Sequence, residues 1–436
     1  MEAQKMIFIK RRIEVDDYLR EFIFFNINYR RNLWNKFVEE YYKCGEDWDK
    51  YDINKLTSQY TSTIDKEIKE SSEYYNVDVV KSVSRDMRNA MKRIKDRTIN
   101  EHRHFSLNFK GFDRYKGVVK VPSRNIIRND NLFGKVHFKN NKKFEFRAHR
   151  YNHFDITSKE PFYDEKIDDT YCIYDKHDRE LHYYFKHEDI KEIVFIHELG
   201  KFYIALSVKV TYINNKEDIK KRKKLAGLDL GIHNPITLYD GEKTYSFSMS
   251  DKELNKIHYL ERRCRRLQNI MDRKMRINIE RRKKDESYNI YTRSYERVRR
   301  KFRRSWKRIF DIRCNWRRKL AKFIATHFQS IVVDEMKQPT KSEQSMLPRK
   351  VSRYINHFNR KHAMYLFTEC LKHACEKYGC EYINAPKGTT KTCCLCKHEN
   401  PKLPLFKRKI HCEKCGNIID RDMNAAINCY DFYQNR

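Results

Sequence analysis

The chain reads as a multidomain α+β protein, and three observations predict it. A short apolar strand at residues 6–13 leads into helical periodicity that continues, with breaks, to about residue 98. Short β-rich pieces separated by Asn, Asp, Gly and Lys clusters then fill about 104–212. After a charged linker, strands alternate with long helices, and two C-x-x-C pairs sit near the end. The expected architecture is an N-terminal β-barrel with an inserted helical block, followed by a C-terminal α/β domain that carries a cysteine knuckle.

The N-terminal elements follow from pattern. Met6–Ile13 is the first strand, and Asp16 or Asp17 is placed to cap the helix behind it. That helix runs to about Tyr42, with Leu19, Phe22, Ile23, Ile27, Leu33, Trp34, Phe37, Val38 and Tyr41 at helical spacing. More polar helix is expected over 53–72 and 77–98, the latter with a basic face of Lys81, Arg85, Arg88, Lys92, Arg93 and Lys95. Strands are expected at Phe105–Phe109, Val118–Val121, Val136–Phe138, Leu181–Phe185, Ile190–Ile196 and Phe202–Tyr212. Residues 202–210 alternate as a half-buried strand should.

Lys216–Lys224 is the expected linker between the halves. Leu225–Gly231 is a strand with an acid, Asp229, inside it, and Thr237–Tyr239 and Thr244–Phe247 continue a meander turned at Asp240-Gly241. Two long basic helices over 252–328 come next. The first carries a seam of Leu254, Ile257, Leu260, Cys264, Leu267, Met271 and Met275; the second carries Tyr295, Val298, Phe302, Trp306, Ile309, Trp316, Leu320 and Phe323. Such seams suit an antiparallel hairpin. The other faces are dense in arginine: Arg262, Arg263, Arg265, Arg266, Arg299, Arg300, Arg303, Arg304, Arg317 and Arg318. With few acids to balance them, these read as phosphate contacts. Ser330–Met336 is a strand containing Asp334-Glu335, residues 350–378 are a helix stopped by Gly379, Tyr382–Asn384 is a strand, and the tail from Asn424 to Tyr433 is helical.

Composition narrows the partner. The chain has 436 residues and a formal net charge of +34, which calls for a polyanion. No apolar run approaches the roughly 18–20 residues that span a bilayer, and Met1-Glu2-Ala3-Gln4-Lys5 leads into a strand rather than a signal peptide. Nucleic acid is therefore preferred to a membrane. Aromatics make up 14% of the residues, so the chain folds instead of trailing as a basic tail, and some rings can stack on unpaired bases. Of thirteen cysteines, Cys44, Cys172, Cys264, Cys314, Cys370, Cys375 and Cys380 are scattered as reduced intracellular thiols are. Cys393 and Cys396, then fifteen residues, then Cys412 and Cys415 have the spacing of a four-thiolate structural zinc site, with Cys394 spare and His398 and His411 nearby. Four thiolates leave the ion no open position for catalysis.

Asp229, Asp334 or Glu335, and Asp422 form an acidic series on or beside strand ends and at the opening of the last helix. A sheet-centred carboxylate is costly unless paired or bound to metal. Each could pair with an arginine; taken together, in so basic a chain, they fit two Mg²⁺ ions serving phosphodiester hydrolysis.

Gly227-Leu228-Asp229-Leu230-Gly231, Ile331-Val332-Val333-Asp334-Glu335-Met336 and Asp420-Arg421-Asp422-Met423-Asn424-Ala425-Ala426 resemble the three signatures of a RuvC-type nuclease domain, and Thr389-Thr390-Lys391-Thr392-Cys393-Cys394-Leu395-Cys396 resembles the entry to its zinc element. Their order and the Arg-rich helices between them resemble the transposon-encoded TnpB nucleases and the miniature type V CRISPR effectors, closely over about 200–436 and loosely over 1–215. The resemblance implies an RNase H-like (RuvC) domain that cuts DNA with two Mg²⁺ under a guide RNA. It makes Asp229, Asp334 and Asp422 the metal-binding acids and Cys393, Cys396, Cys412 and Cys415 the structural zinc ligands. It divides the chain into a wedge-like barrel (1–14 and 101–215), a helical recognition domain (15–100), a RuvC-like domain (216–387 and 419–436) and a zinc-ribbon target-nucleic-acid-binding element (388–418). The N-terminal half would read a motif beside the target and cradle the guide–target heteroduplex.

The chain departs from that pattern at Asp334-Glu335, where the family has Glu then Asp. Adjacent strand residues face opposite ways, so only one of the two reaches the metals: alignment favours Asp334, side-chain length Glu335. Lys391 stands for the family's Gln and Lys397 for its Gly. Chain length and the enlarged helical block lean toward the CRISPR effector, which implies a homodimer on one guide RNA; outward aromatics of the 15–42 helix could supply the interface. TnpB, a cleavage-deficient RNA-guided repressor, a strand-transfer transposase and a plain zinc-ribbon RNA-binding protein are the alternatives. The expected location is the prokaryotic cytoplasm.

Overall fold

In the computed structural model the described residues are 4–46, 51–60, 72, 74–75, 77–101, 106–110, 116–122, 126–127, 135–138, 143–148, 154–157, 170–175, 181–212, 219–231, 234–335, 364–386, 388–401 and 407–434. The chain is mixed α and β and divides into two units, Met1–Thr211 and Tyr212–Arg436.

In the first unit, β1 (Gln4–Val15) is longer than its apolar segment, because it pairs antiparallel with β10 (Lys201–Tyr212) from Gln4↔Thr211 to Ile13↔Phe202. Helix α1 (Asp17–Lys43) follows, and its N-cap is Asp16, whose Oδ1 accepts from the Leu19 amide at 2.7 Å. Helices α2 (Ile53–Gln59) and α3 (Val77–Glu101) complete the helical block. Leu33, Trp34, Phe37, Val38 and Tyr41 of α1 bury against Val80, Val83 and Met87 of α3. The segment expected as a strand near Phe109 has no strand among its described residues, 106–110; Leu107 instead closes the helical core. Helical expectations within 61–71 lie outside the described residues.

The strands β2 (Lys116–Pro122), β3 (Ile126–Ile127), β4 (Lys135–Phe138), β5 (Lys143–Ala148), β6 (Phe154–Thr157), β7 (Thr170–Asp175), β8 (Leu181–Lys186) and β9 (Ile190–Glu198) join β1 and β10 in one ten-stranded sheet. Its path runs β3-β4-β5-β1-β10-β8-β7-β6, and β9 branches from β10 to pair with β2. The pairings among the described residues form no closed ring, so the barrel expectation reduces to a branched, largely antiparallel sheet. Gly117 of β2 lies where Ile27 of α1 packs; a Cβ there would stand 2.6 Å from Ile27 carbons. Asp86 of α3 ties the block to the sheet, pairing with Arg30 of α1 and, at 2.8 Å, with Lys120 of β2. The α1 aromatics are engaged within the unit: Phe24 meets His197 and Phe202, and Phe25 stacks with Tyr29.

The second unit is built on β11 (Lys223–Asp229), β12 (Ile236–Tyr239), β13 (Thr244–Phe247), β14 (Phe328–Asp334) and β15 (Glu381–Asn384), in the order β13-β12-β11-β14-β15. β11, β14 and β15 are parallel and β12 and β13 antiparallel. The Asp240-Gly241 turn is held by Asp240, which accepts from the amides of Glu242 and Lys243 and from Lys223 Nζ at 2.6 Å; its carboxyl falls to about 2 despite burial. Helices α4 (Asp251–Lys284) and α5 (Arg293–His327) form the expected hairpin, opened by a Ser250/Glu253 capping box and the Thr292 N-cap. With α6 (Met364–Tyr378) they cover the sheet through Ile257, Leu260, Cys264, Ile309, Trp316, Leu320 and Phe367. Two expected seam residues differ: Trp306 and Phe323 remain about two-fifths exposed, at 42% and 41%. Residues 336–363 lie outside the described part. The chain ends in β16 (Lys409–His411), β17 (Ile418–Asp420) and α7 (Arg421–Gln434). Among the described residues no helix is long and apolar enough to cross a membrane.

Candidate active site and thiolate cluster

Parallel pairing of β11 with β14 sets Asp229 opposite Asp334 in register. Helix α7 crosses β11 closely enough that a Cβ on Gly227 would meet the Tyr430 amide nitrogen at 2.5 Å, and one on Gly231 would meet Asp422 Oδ2 at 3.0 Å. The two glycines of the Gly227–Gly231 motif thus admit the helix and bring Asp422, in its first turn, to the end of the strand. Asp229 and Asp422 are buried, at 5% and 4% exposure, and Asp334 is half-buried. Burial, then the negative charges of Asp422 and Asp334, hold the Asp229 carboxyl well above the usual carboxylate range; Arg421 and Arg408 offset this only in part. Burial also raises Asp334, against a hydrogen bond donated by Thr389 Oγ1 to its Oδ2.

Glu335 lies apart from this group. Tyr382 OH donates to its Oε1 at 2.8 Å, and Lys372 Nζ stands 2.7 Å from the same oxygen, so its carboxyl is lowered although burial opposes it. The strand alternation that allows only one of the neighbouring acids to face Asp229 is therefore resolved in geometry: Asp334 faces Asp229, and Glu335 faces α6 and β15.

Sequence reasoning missed Arg408. Its guanidinium donates to both oxygens of Asp422, at 3.0 and 2.5 Å, and its NH2 also reaches Asp420 at 3.3 Å. The only signal was position: Arg408 precedes β16, and β16 pairs with β17 directly before the acid. The same ladder carries an amide from Arg421 to the Arg408 carbonyl at 2.7 Å.

The four cysteines converge. Their Sγ atoms all lie within 4.8 Å of one another, with Cys393–Cys415 at 3.7 Å and Cys396–Cys412 at 3.5 Å. A tetrahedron with Zn–S near 2.3 Å has S–S edges of roughly 3.8 Å, so the donor set fits zinc. Among the described residues no other Cys, His, Asp or Glu group meets that closeness, the three carboxylates included, and neither His398 nor His411 joins the cluster. The two halves are built alike. Lys397 N donates to the Cys393 carbonyl and Gly416 N to the Cys412 carbonyl, and the Cys393 and Cys412 amides donate to the His398 and Asn417 carbonyls. Lys397 and Gly416 both adopt positive φ, +58° and +70°, the conformation that makes glycine the ordinary residue after such a pair. Lys397 holds it while its Nζ reaches Asp431 Oδ2 at 2.5 Å on α7. Backbone amides of Cys415 and Lys414 bring the Cys412 thiol down to about 6, as a zinc thiolate requires, while neighbouring sulfurs push Cys415 up to about 12.

The cluster is keyed to the acidic site through α7. Asn424 and Asn428 each donate to the carbonyls of Thr389 and Thr392, and the Cys394 amide donates to Asn424 Oδ1 at 2.8 Å. Asn424 is fully buried. Asn424→Ala should lower unfolding stability by about 1–3 kcal/mol, read from the urea midpoint at unchanged m-value, because it strands the buried Cys394 amide while Asn428 still serves the Thr389 and Thr392 carbonyls.

The arginine helices divide. Arg262, Arg263, Arg265, Arg266, Arg300, Arg304 and Arg318 are exposed, and Arg299 and Arg303 are half-buried, Arg299 beside Glu296 at 3.1 Å. Arg317 is 2% exposed, which removes it from the solvent face where its spacing had put it: it follows Trp316 on the buried side of α5.

Comparison defines the class. Residues 365–429 match the family model "Cas12f1-like, TNB domain", and residues 206–338 match the OrfB_IS605 family model, described as "Probable transposase". The resemblance to TnpB proteins and miniature type V effectors read from the motifs is thereby borne out for these segments. Among particular relatives, a "TnpB-like protein" of Acanthamoeba polyphaga mimivirus is 27% identical over 224 residues, 50% of this chain and 39% of its own length. A "Putative RNA-guided DNA endonuclease" of Streptomyces pristinaespiralis is 28% identical over 206 residues, 46% of this chain and 43% of its own. The chain thus aligns with about two-fifths of each relative's length. Among solved structures, the Cas12f1–sgRNA–target DNA complex covers 98% of this chain and 99% of its own at 15% identity and TM-score 0.29. The mini-RNA-guided endonuclease CRISPR-Cas_phi3 covers 98% and 92% at 11% identity and TM-score 0.40.

Proposed function

We propose that the chain is an RNA-guided DNA endonuclease whose RuvC-like site is formed by Asp229, Asp334 and Asp422. The observation that carries this is the approach of three carboxylates from β11, β14 and α7, two of them buried and one, Asp229, held well above its ordinary pKa by burial first and then by the charges of the others, in a chain of net charge +34. Mutually repelling buried carboxylates call for a cation. The strand order β13-β12-β11-β14-β15 supports the RNase H-like reading of this unit.

In this reading Asp229, Asp334 and Asp422 hold two Mg²⁺. Bound there, the ions supply an activated water and stabilisation of the leaving oxygen in an in-line phosphodiester displacement. The chain's own residues prepare the site. Thr389 fixes the Asp334 carboxylate by donating to it, and Arg408 holds Asp422 against the repulsion of Asp229. Cys393, Cys396, Cys412 and Cys415 hold a structural Zn²⁺ that sets the ribbon bearing both Thr389 and Arg408. Exposed arginines of α4 and α5 neutralise phosphates of guide RNA or target DNA. The first unit serves as wedge and recognition domains over the 1–14, 101–215 and 15–100 segments, and a homodimer on one guide RNA goes with the effector form.

Asp334→Ala should reduce cleavage by about a hundredfold or more, whereas Glu335→Ala should leave cleavage within about threefold and mainly lower stability, since it removes an ion pair to Lys372. Single-turnover cleavage of a guided target distinguishes them; equal losses would place the second metal acid elsewhere. The deciding experiment sequences the RNA that co-purifies with the chain expressed beside its own locus. One abundant RNA with a fixed structured part and a variable end is expected. A variable end from a repeat–spacer array marks a CRISPR effector, and one from beyond a transposon end marks a TnpB-type nuclease. Random RNA or none would overturn guidance. A second reading, a guided repressor without cleavage, is favoured by one observation, the two-pronged hold of Arg408 on Asp422; guided binding without cleavage in Mg²⁺ would establish it.

A further inference from the structure

Helices α4 and α5 enclose a cavity of about 530 Å³ that the proposed nuclease chemistry does not use. This lies within the roughly 300–1,000 Å³ of small-ligand pockets. Its apolar wall includes Ile257, Phe302 and Trp306. The Trp306 ring meets Phe302 edge-on at 6.3 Å, which fixes its plane, yet the residue is 42% exposed. A large indole left open on a helix whose spacing should have buried it is a stacking surface without its partner.

The polar wall is specific. Arg313 donates from NH2 to Glu261 Oε1 at 2.9 Å. The second carboxylate oxygen, Oε2, lies 3.7 Å from His258 Nδ1, beyond hydrogen-bond reach. Arg313 Nε is buried with no hydrogen-bond partner among the described residues. A carboxylate with acceptor capacity to spare therefore sits beside the half-buried Arg313 guanidinium and near the exposed Arg265, whose donors can face the cavity, next to an aromatic face. Arg265 also lines the cavity, and the exposed Arg262 and Arg266 flank it on α4.

We infer that this cavity receives one unpaired guanine base of an RNA strand. Guanine is the base whose edge presents two adjacent donors, N1–H and N2–H, for a carboxylate, with O6 and N7 accepting from a guanidinium. Adenine and cytosine would each set a ring-nitrogen acceptor against the carboxylate, and uracil offers a single donor between two carbonyls. Unpaired RNA bases are bound in this way, stacked on an aromatic ring and read along their edges. The flanking arginines supply the phosphate contacts such a nucleotide needs. The inference deepens the proposed function at one point: it rests on the chain binding RNA and does not require that it cut DNA.

The test uses the full chain stripped of RNA. GMP, IMP, AMP, CMP and UMP are titrated by calorimetry, and RNA hairpins carrying a single bulged G, A, C or U are then compared. GMP is expected to bind at least about tenfold tighter than AMP, CMP or UMP, with IMP, which lacks the N2 donor, weaker than GMP. Trp306→Ala should weaken GMP by about tenfold and Trp306→Phe should restore most of it. Glu261→Gln should lower the preference for GMP over AMP. Unchanged thermal unfolding of the Trp306 variants, whose side chain is already two-fifths exposed, separates lost binding from lost folding. Equal binding of the nucleotides, or a GMP affinity unmoved by Trp306→Ala, overturns the inference. Self-association that Trp306→Ala abolishes, without nucleotide preference, also overturns it and assigns the cavity to a second copy of the chain. If hairpin RNAs bind tightly but without preference for bulged G, the pocket reading falls and RNA binding stands; if no RNA binds, both fall.

Discussion

Asp229→Asn is expected to abolish cleavage and, in the same protein, to raise the melting temperature of the metal-free chain. Asparagine keeps the shape of the side chain and removes its charge. In the site, that charge is what the metals need: the other carboxylates flank Asp229 from β14 and α7. The loss should exceed the roughly 10²–10³-fold that removing one transition-state hydrogen-bond donor costs, with guide RNA and target binding unchanged in a gel-shift assay. In the metal-free fold the same charge is a liability, since it is 5% exposed and repelled by Asp422 and Asp334. The sign follows from linkage. An acid whose folded pKa lies above its unfolded value takes up a proton on folding, so its penalty is absent at low pH, grows as pH rises from the unfolded value to the raised one, and is complete above it. At neutral pH the asparagine variant escapes that penalty. Melting curves in a chelating buffer should therefore show the variant above the wild type, and Mg²⁺ should narrow the gap by stabilising only the wild type. A variant that melts lower, or that loses RNA binding, would make Asp229 a structural acid.

The two roles explain what could be read in the sequence. The proposed site's acids stood out because each sits in a strand or at a helix opening where an unpaired carboxylate is out of place. The convergence of the four thiols was legible because a four-thiolate site needs fixed spacings, and the matched pairs of amide–carbonyl bonds show how those spacings fold alike. Asp334 and Glu335 could not be separated from sequence alone: alternation says they face opposite ways, but which way depends on where Tyr382 and Lys372 stand, and both come from later elements. Arg408 was invisible because a lone arginine in a basic chain carries no pattern; it becomes a partner of Asp422 only once β16 pairs with β17. The seams of α4 and α5 gave the hairpin but not its exposed residues. Trp306 and Phe323 keep helical register with the buried residues, yet each stays about two-fifths exposed at the edge of the seam. In the first unit the long strands were legible, but the expected closed barrel was not borne out: the described strands pair as a branched sheet, and closure depends on partners far apart in sequence.

Cys412→Ser should have the second largest effect, and it reaches the acidic site at a distance. Zinc in a four-thiolate site contributes apparent binding energies of about 10–16 kcal/mol, and in so small an element that energy is the folding energy. The ribbon has little else: β16 and β17 pair over only three residues, and Ile410 is the fully buried apolar residue of that hairpin. Serine replaces one of the four thiolates, one whose thiol the backbone amides of Cys415 and Lys414 bring down to about 6, so the variant should lose most of the metal; elemental analysis should show zinc falling from about one ion per chain toward none. Hydrogen exchange should accelerate across 389–418 while β11, β14 and α5 stay protected, because their core does not include the ribbon. Cleavage should nonetheless fall, since loosening the ribbon releases Thr389 from Asp334 and Arg408 from Asp422. Full zinc content with full activity would refute the thiolate assignment. Zinc loss with unchanged cleavage would break the coupling instead, leaving Asn424 and Asn428 of α7 as a tether that holds the loop without governing the acids.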